Sequence, residues 1–365
     1  MKCLLLLVIA AAVIAAGPVA PALRGGTGTI YLASYAKRIA VIDEATEKVS
    51  AEIPLKTGLP WAMRPSRDGS VLFVQSADQE HFEIVDVKRR QTVDTFTLGD
   101  ATTHVRALAF EVDPSQRFMV LVVRTARKLV DRFEIETPAF IQYDLKEHKI
   151  LRTVPWSSDP EPRYYSLNLR FSPDGKLLYV FSNRILICDA STLQQIDSWD
   201  LSLPTQSGFS GLNMGSLDET NDRPGYFTAL FTFEDRLEKR RMLGVGRVNL
   251  SQKSIDYFPI GPQPDHGEIS FALGADHDHG YVLVENIGRN ELWTIDIPTR
   301  RLESRTEFAG RTRMAIRSSS NGRILYIYEA GNTIDLYEAD GFKYLRTMTF
   351  DADMMYGTFY VFGPQ

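Results

Sequence analysis

Phe171-Ser172-Pro173-Asp174-Gly175-Lys176-Leu177-Leu178-Tyr179-Val180-Phe181 sets a tight turn between two short apolar runs. Pro and Gly stand where such a turn wants them, so residues 166–171 and 177–181 are predicted to pair as antiparallel strands. Residues 184–189, ending in Cys188-Asp189, and residues 195–201 supply two further runs of strand composition. Four short strands separated by turn residues read as one antiparallel meander.

The same unit recurs along the chain. Residues 61–64, 71–75, 82–87 and 92–98 repeat it around Arg67-Asp68-Gly69, and residues 313–317, 324–328, 333–337 and 344–350 repeat it around Ser320-Asn321-Gly322. A bulky residue followed by Asp or a near-equivalent closes a strand seven times: Ile42-Asp43, Val85-Asp86, Tyr143-Asp144, Cys188-Asp189, Val248-Asn249, Ile295-Asp296 and Tyr337-Glu338. Successive pairs stand roughly 40–60 residues apart, a spacing that points to stacked propeller blades. The fold predicted is all-β, a seven-bladed β-propeller of four-stranded antiparallel blades.

The chain ends support this count. The first repeat, residues 29–53, holds only three strands and lacks its innermost one, whereas a surplus strand, residues 356–362, follows the last repeat. That C-terminal strand is expected to pair into blade one and close the ring, removing exposed sheet edges. Blades three and five carry extra residues at 124–137, 218–224 and 234–241. These insertions are expected at the rim, where loops carry binding function.

With 365 residues, 44% hydrophobic and 24% charged, the chain is neither disordered nor fibrous. A formal charge of −5 argues against general nucleic-acid binding. Lys2, the apolar run 4–16 and Ala20-Pro21-Ala22 have the form of a secretory signal. Residues 1–22 are therefore expected to be a cleaved signal peptide, with an uncleaved anchor as the alternative. Residues 23–365 then form a single propeller domain that is periplasmic or extracellular and makes no stable membrane insertion. Cys3 precedes the apolar run, which speaks against lipidation, and Cys188 alone cannot form an internal disulfide. Cys188 fills the place of Ile42 and Ile295 and reads as a small core hydrophobe.

Ile30-Tyr31-Leu32-Ala33, Ile39-Ala40-Val41-Ile42-Asp43 and the stretch from Phe171 to Val180 resemble the YVTN-type propellers of exported bacterial proteins, a WD40-like architecture. Arg127-Lys128-Leu129-Val130-Asp131-Arg132-Phe133-Glu134-Ile135-Glu136-Thr137-Pro138, followed by Tyr143-Asp144, is similar to the beta subunit of quinohemoprotein amine dehydrogenase. That resemblance implies a periplasmic scaffold whose partners, a dihaem cytochrome c subunit and a small quinone-bearing subunit, carry the redox groups. The chain has no Cys-x-x-Cys-His for a c-type haem, so haem c and quinone are expected on partner subunits and no cofactor on this chain. The resemblance transfers no catalytic residue.

In a propeller of this strand order, the loops approaching each innermost strand share a face with the loops between second and third strands. On that face the sequence offers Trp61, His104, Arg106, Tyr164, Tyr165, Asp265, His266, Glu268, Arg311, Arg313 and Tyr356, an aromatic and charged ring at one channel mouth. Propeller mouths are default ligand sites, although the same residues also serve to satisfy loop backbones and plug the channel. Lys37, Arg38, Arg124, Arg127, Lys128, Arg184, Arg236, Lys239, Arg240, Arg241 and Arg289 make the rim basic, which suits an acidic partner, with Arg240 and Arg241 as the docking pair. A stand-alone enzyme of lactonase or lyase type is the alternative, with His266, Glu268, His104 and Arg313 as its catalytic groups. Asp276-His277-Asp278-His279 is the densest cluster of potential ligands. Its match to the turn Asp174-Gly175-Lys176 makes it a surface corner, and no metal is expected. No G-x-S-x-G elbow or P-loop is present. Met354 and Met355 are expected to pack.

Overall fold

The computed structural model describes residues 22–157, 167–182, 184–204, 207–217, 222–263, 269–286, 289–311, 313–329 and 331–364. The predicted signal sequence lies outside the described residues, apart from residue 22. Among the described residues every regular element is a strand, and the strands form seven antiparallel sheets. Blade one has the order Met354–Phe362, Thr29–Ser34, Arg38–Asp43, Lys48–Pro54, so three opening strands and the last strand make one blade. Ile30 lies opposite Val361, Tyr31 opposite Tyr360 and Leu32 opposite Phe359. The closing strand begins two residues earlier than expected. Its register shifts between Leu32 and Ser34, and Gly357 takes φ +84° within that irregularity, a backbone state open to glycine at little cost.

The core is a series of wedges between neighbouring blades. Successive side chains of a strand point to opposite faces, so Ile30, Leu32, Ala40 and Ile42 join blade seven through Tyr326, Ile334 and Leu336. Tyr31, Ala33, Ile39 and Val41 face blade two through Met63, Leu72 and Val85. The two middle strands of a blade are thus buried on both faces and read as continuous apolar runs. Outer strands such as Lys48–Pro54 are mostly exposed and read as mixed. Seven such clusters complete the disc. Cys188 belongs to the wedge between blades three and four, and burial pushes its thiol up to about 12. Met354 and Met355 are buried in the wedges on either side of blade one.

The recurring acid has a local cause. It ends the third strand of each blade and, in six of the seven, caps the turn into the fourth. Asp43 Oδ1 accepts the Thr46 N–H at 2.7 Å, Asp86 that of Arg89 at 2.7 Å, and Asp144 that of Glu147 at 2.7 Å. Asp189, Asn249 and Asp296 do the same for Thr192, Gln252 and Thr299. Four positions after each signature acid or amide, Glu47, Arg90, His148, Leu193, Lys253, Arg300 and Phe342 all take φ between 51° and 59°. The backbone thereby turns left-handed and re-enters the fourth strand through a register shift in six of the seven blades.

The disc has two unlike faces. The turns from first to second strand and from third to fourth lie on one, here the turn face; the longer connections lie on the other, the loop face. Most middle strands have five or six residues. Phe118–Lys128 of blade three, and Tyr226–Asp235 and Arg240–Asn249 of blade five, have ten or eleven. At ~3.4 Å per residue both blades rise about 15 Å above the loop face. The insertion at 124–137 is therefore largely strand: Phe133–Ile135 returns against Ala126–Lys128. Of the 218–224 insertion, residues 218–221 lie outside the described residues. Asp222, Arg223 and Pro224 stand on the turn face, not at the loop-face rim.

Candidate functional site

On the loop face the structure joins part of the predicted ring. Glu80, between the second and third strands of blade two, receives two residues of the approach to blade three. His104 Nδ1 lies 3.1 Å from Glu80 Oε2, and Arg106 Nε lies 3.8 Å from Oε1. In the same way Glu285 of blade six accepts the Arg313 N–H at 2.7 Å, together with that of Met314. Arg313 itself holds φ 62°. A carboxylate of one blade thus anchors the approach to the next. Trp61 and Arg311 are exposed on this face, and Tyr356 sits in the closing strand. Tyr164, Tyr165, Asp265, His266 and Glu268 lie outside the described residues.

The rim is less basic than its count of Lys and Arg suggests. Arg38 pairs with Glu52 at 3.0 Å and Asp351 at 2.6 Å, and Arg127 with Glu136 at 2.6 Å. Arg289 reaches Glu291 and Glu307. Arg240 pairs with Glu238, and Arg241 stands opposite Glu234 in the ladder. The acids that offset these bases come from the same hairpin, from the facing strand or, for Asp351, from the neighbouring blade.

The cluster at 276–279 is a turn, as its position implied. His277 takes φ 62° where Gly175 takes 69°. Asp276 Oδ1 accepts the N–H groups of Asp278 and His279, its Oδ2 lies 2.6 Å from His279 Nδ1, and Asp278 pairs with Arg223. Among the described residues no group of three or more such side chains is arranged to hold a metal ion.

Sequence reasoning missed a second ring inside the channel. One register position of the innermost strands carries Tyr360 in blade one, Arg64 in blade two, Glu111 in blade three, Arg170 in blade four, Ala272 in blade six and Arg317 in blade seven. These face Tyr31, Phe73, Val120, Tyr179, Tyr281 and Tyr326 on the second strands. Arg170 Nη1 donates to Glu111 Oε2 at 3.0 Å, with side-chain exposures of 17% and 15%. Arg317 donates to the Phe359 and Ile316 carbonyls at 3.0 and 2.7 Å, and the Tyr360 hydroxyl donates to the Met63 carbonyl at 2.5 Å. Burial and the neighbouring Arg64 depress the Arg170 pKa. Burial also raises the Asp222 carboxyl above its ordinary value, against the Thr228 hydrogen bonds that lower it. The positions repeat in the sequence: Arg64, Glu111, Arg170 and Arg317 stand two residues before Ser66, Asp113, Ser172 and Ser319, which open the first-to-second-strand turns.

This ring opens to the turn face through a funnel of about 580 Å3 lined by blades one to five. Arg64, Glu111 and Arg170 line it from the ring, and Asp222 and Arg223 from blade five. Pro65, Pro114, Pro173, Pro224 and Pro364 supply one collar residue from each of the five blades. Arg67 Nη1 donates to the Pro173 carbonyl at 2.6 Å, tying the rim of blade two to that of blade four.

No family model matches the sequence, and no curated protein matches it. Solved structures do share its architecture. It is similar to Kuenenia stuttgartiensis hydrazine synthase, with TM-score 0.55 and 15% identity over 91% of this chain and 95% of that one. A functionally unknown protein from Desulfotomaculum acetoxidans DSM 771 aligns with TM-score 0.56 and 13% identity, over 93% of this chain and 100% of that one. The dihydro-heme d1 dehydrogenase NirN in complex with DHE aligns with TM-score 0.53 and 13% identity, over 96% of this chain and 78% of that one. At these identities the likeness is one of fold: this chain is a seven-bladed propeller.

Proposed function

We propose that this chain is an exported, non-catalytic propeller subunit that docks partner proteins on its loop face, similar in role to the beta chain of periplasmic quinohemoprotein amine dehydrogenase. The observation that carries this reading is the raised edge of blade three. Leu129, Val130, Phe133 and Ile135 are exposed there, Phe133 and Ile135 at 61% and 67%. Phe133 and Ile135 share a strand face with their ladder partners Lys128 and Ala126. Large apolar side chains set together on a projecting edge mark a surface that a partner covers. In this reading haem c and quinone reside on partner subunits. Two proteins of similar fold bear redox names, hydrazine synthase and a dihydro-heme d1 dehydrogenase, which agrees with a place in an electron-transfer assembly.

The test is affinity purification of the tagged full chain from its native host, with an absorbance scan for haem and mass spectrometry of what co-purifies. Wild type is expected to bring down a haem-bearing partner. Val130→Asp with Phe133→Asp is expected to lose it without a change in melting temperature. A colourless monomer from wild type contradicts the reading.

A further inference from the structure

We propose that the turn-face funnel is a binding site for a small organic monocarboxylate with an apolar body. The site lies across the disc from the docking face and does not depend on partner docking. Two features of the geometry carry the inference. Arg64 and Arg170 both line the cavity, in adjoining positions on either side of Glu111 in the same channel ring. A guanidinium presents a planar fork of donors that matches a carboxylate; these two are fixed by sheet register, not carried on a loop, and Arg170 shares its fork with Glu111 and the Leu169 carbonyl through Nη1. The wall above them carries five prolines among Arg67, Asp68, Asp113 and Arg223, and the locked φ angles of the prolines leave little to order when a ligand enters. Convergent polar groups with apolar side chains beside them are the pattern of a small-molecule pocket.

Charge and size narrow the ligand. Glu111 sits between the two arginines, Asp222 stands on the next wall, and Asp68 and Asp113 line the mouth, so a doubly charged phosphate monoester meets more repulsion than a single carboxylate. About 580 Å3 falls within the range of ordinary ligand pockets and accepts a ring or short chain above the carboxylate. Arg67 spans the mouth from blade two to blade four and defines the rim.

The test is calorimetric titration of the full chain in a buffer free of carboxylate and phosphate. The probes are benzoate and hexanoate, with benzyl alcohol as neutral control and hexylamine as cationic control. Saturable carboxylate binding is expected, with the alcohol at least about tenfold weaker, the scale of one charged hydrogen bond, and with no binding of the amine. Arg64→Gln is expected to weaken benzoate by about tenfold or more. Hydrogen exchange on wild type keeps the proposal testable if that variant does not fold. Benzoate is expected to slow amides at 64–69 and 170–175 and to leave 104–106 and 313–314 unchanged. Absence of saturable carboxylate binding, equal binding of alcohol and acid, undiminished binding by a folded Arg64→Gln, or protection only on the loop face overturns it.

Discussion

The turn face and the loop face come from the same seven repeats yet obey different rules. On the turn face every blade solves one problem in one way: an acidic or amide residue caps the third-to-fourth turn in six blades, and a left-handed residue follows it in all seven. On the loop face the connections differ in length, two blades stand tall, and carboxylates such as Glu80 and Glu285 anchor individual approaches. Regular backbone geometry writes a repeat into a sequence, whereas connections of differing length and anchoring do not. The channel charges fall between these cases, because their positions repeat while their residue types vary.

A buried carboxylate lies in the seam between blades one and seven. Glu44 is fully buried and accepts the Gly28 N–H at 3.0 Å, the Ser320 N–H at 2.9 Å and the Tyr326 hydroxyl at 3.0 Å, with the Ser320 hydroxyl beside them. Glu44→Ala orphans those donors at once and is expected to cost about 4 kcal/mol in denaturant unfolding. A loss below about 1 kcal/mol breaks the claim that this carboxylate holds the seam.

The channel pair gives the next largest effect. Glu111→Leu leaves the Arg170 guanidinium enclosed without its carboxylate and is expected to cost about 2–3 kcal/mol, short of a fully buried pair because both side chains keep some water. Adding Arg170→Met is expected to recover most of that loss. Simple additivity of the two substitutions contradicts the coupling.

A smaller effect sharpens the reading of the turn at 276–279. Asp276 raises the His279 pKa above its ordinary 6.5. The stabilisation it provides is therefore complete below that value and fades as pH rises through the higher folded-state pKa. The melting-temperature gap between wild type and His279→Ala is expected to narrow from about pH 6 to about pH 9. A gap that widens reverses the sign and removes the ion pair from the account.

The smallest effect tests the repeat geometry itself. Lys253 holds φ 53° in the turn of blade five. Lys253→Gly relieves the left-handed cost at the expense of a freer unfolded chain, for a net gain of about 0.5 kcal/mol. Clear destabilisation shows that the Lys253 side chain contributes more than its backbone state.

What the sequence made legible follows the same division. Ring closure, the turn Asp276-His277-Asp278-His279 and the burial of Cys188 were readable because each depends on local pattern: strand count, turn residues, or one position compared across repeats. The offsetting of rim bases such as Arg38 by Asp351 was not readable, since it joins residues far apart in the chain. Arg64, Glu111 and Arg170 were overlooked for a different reason. Each reads as the polar side of an ordinary strand until the closed ring turns that side toward the channel axis.

Native-state hydrogen exchange of residues 354–362 tests the closed disc most directly. Buried Phe359, Tyr360 and Val361, laddered against Leu32, Tyr31 and Ile30, are expected to exchange only on global unfolding, as slowly as the middle strands of blade one. Exchange at the rate of a frayed tail contradicts the closure, and with it the channel ring that Tyr360 completes.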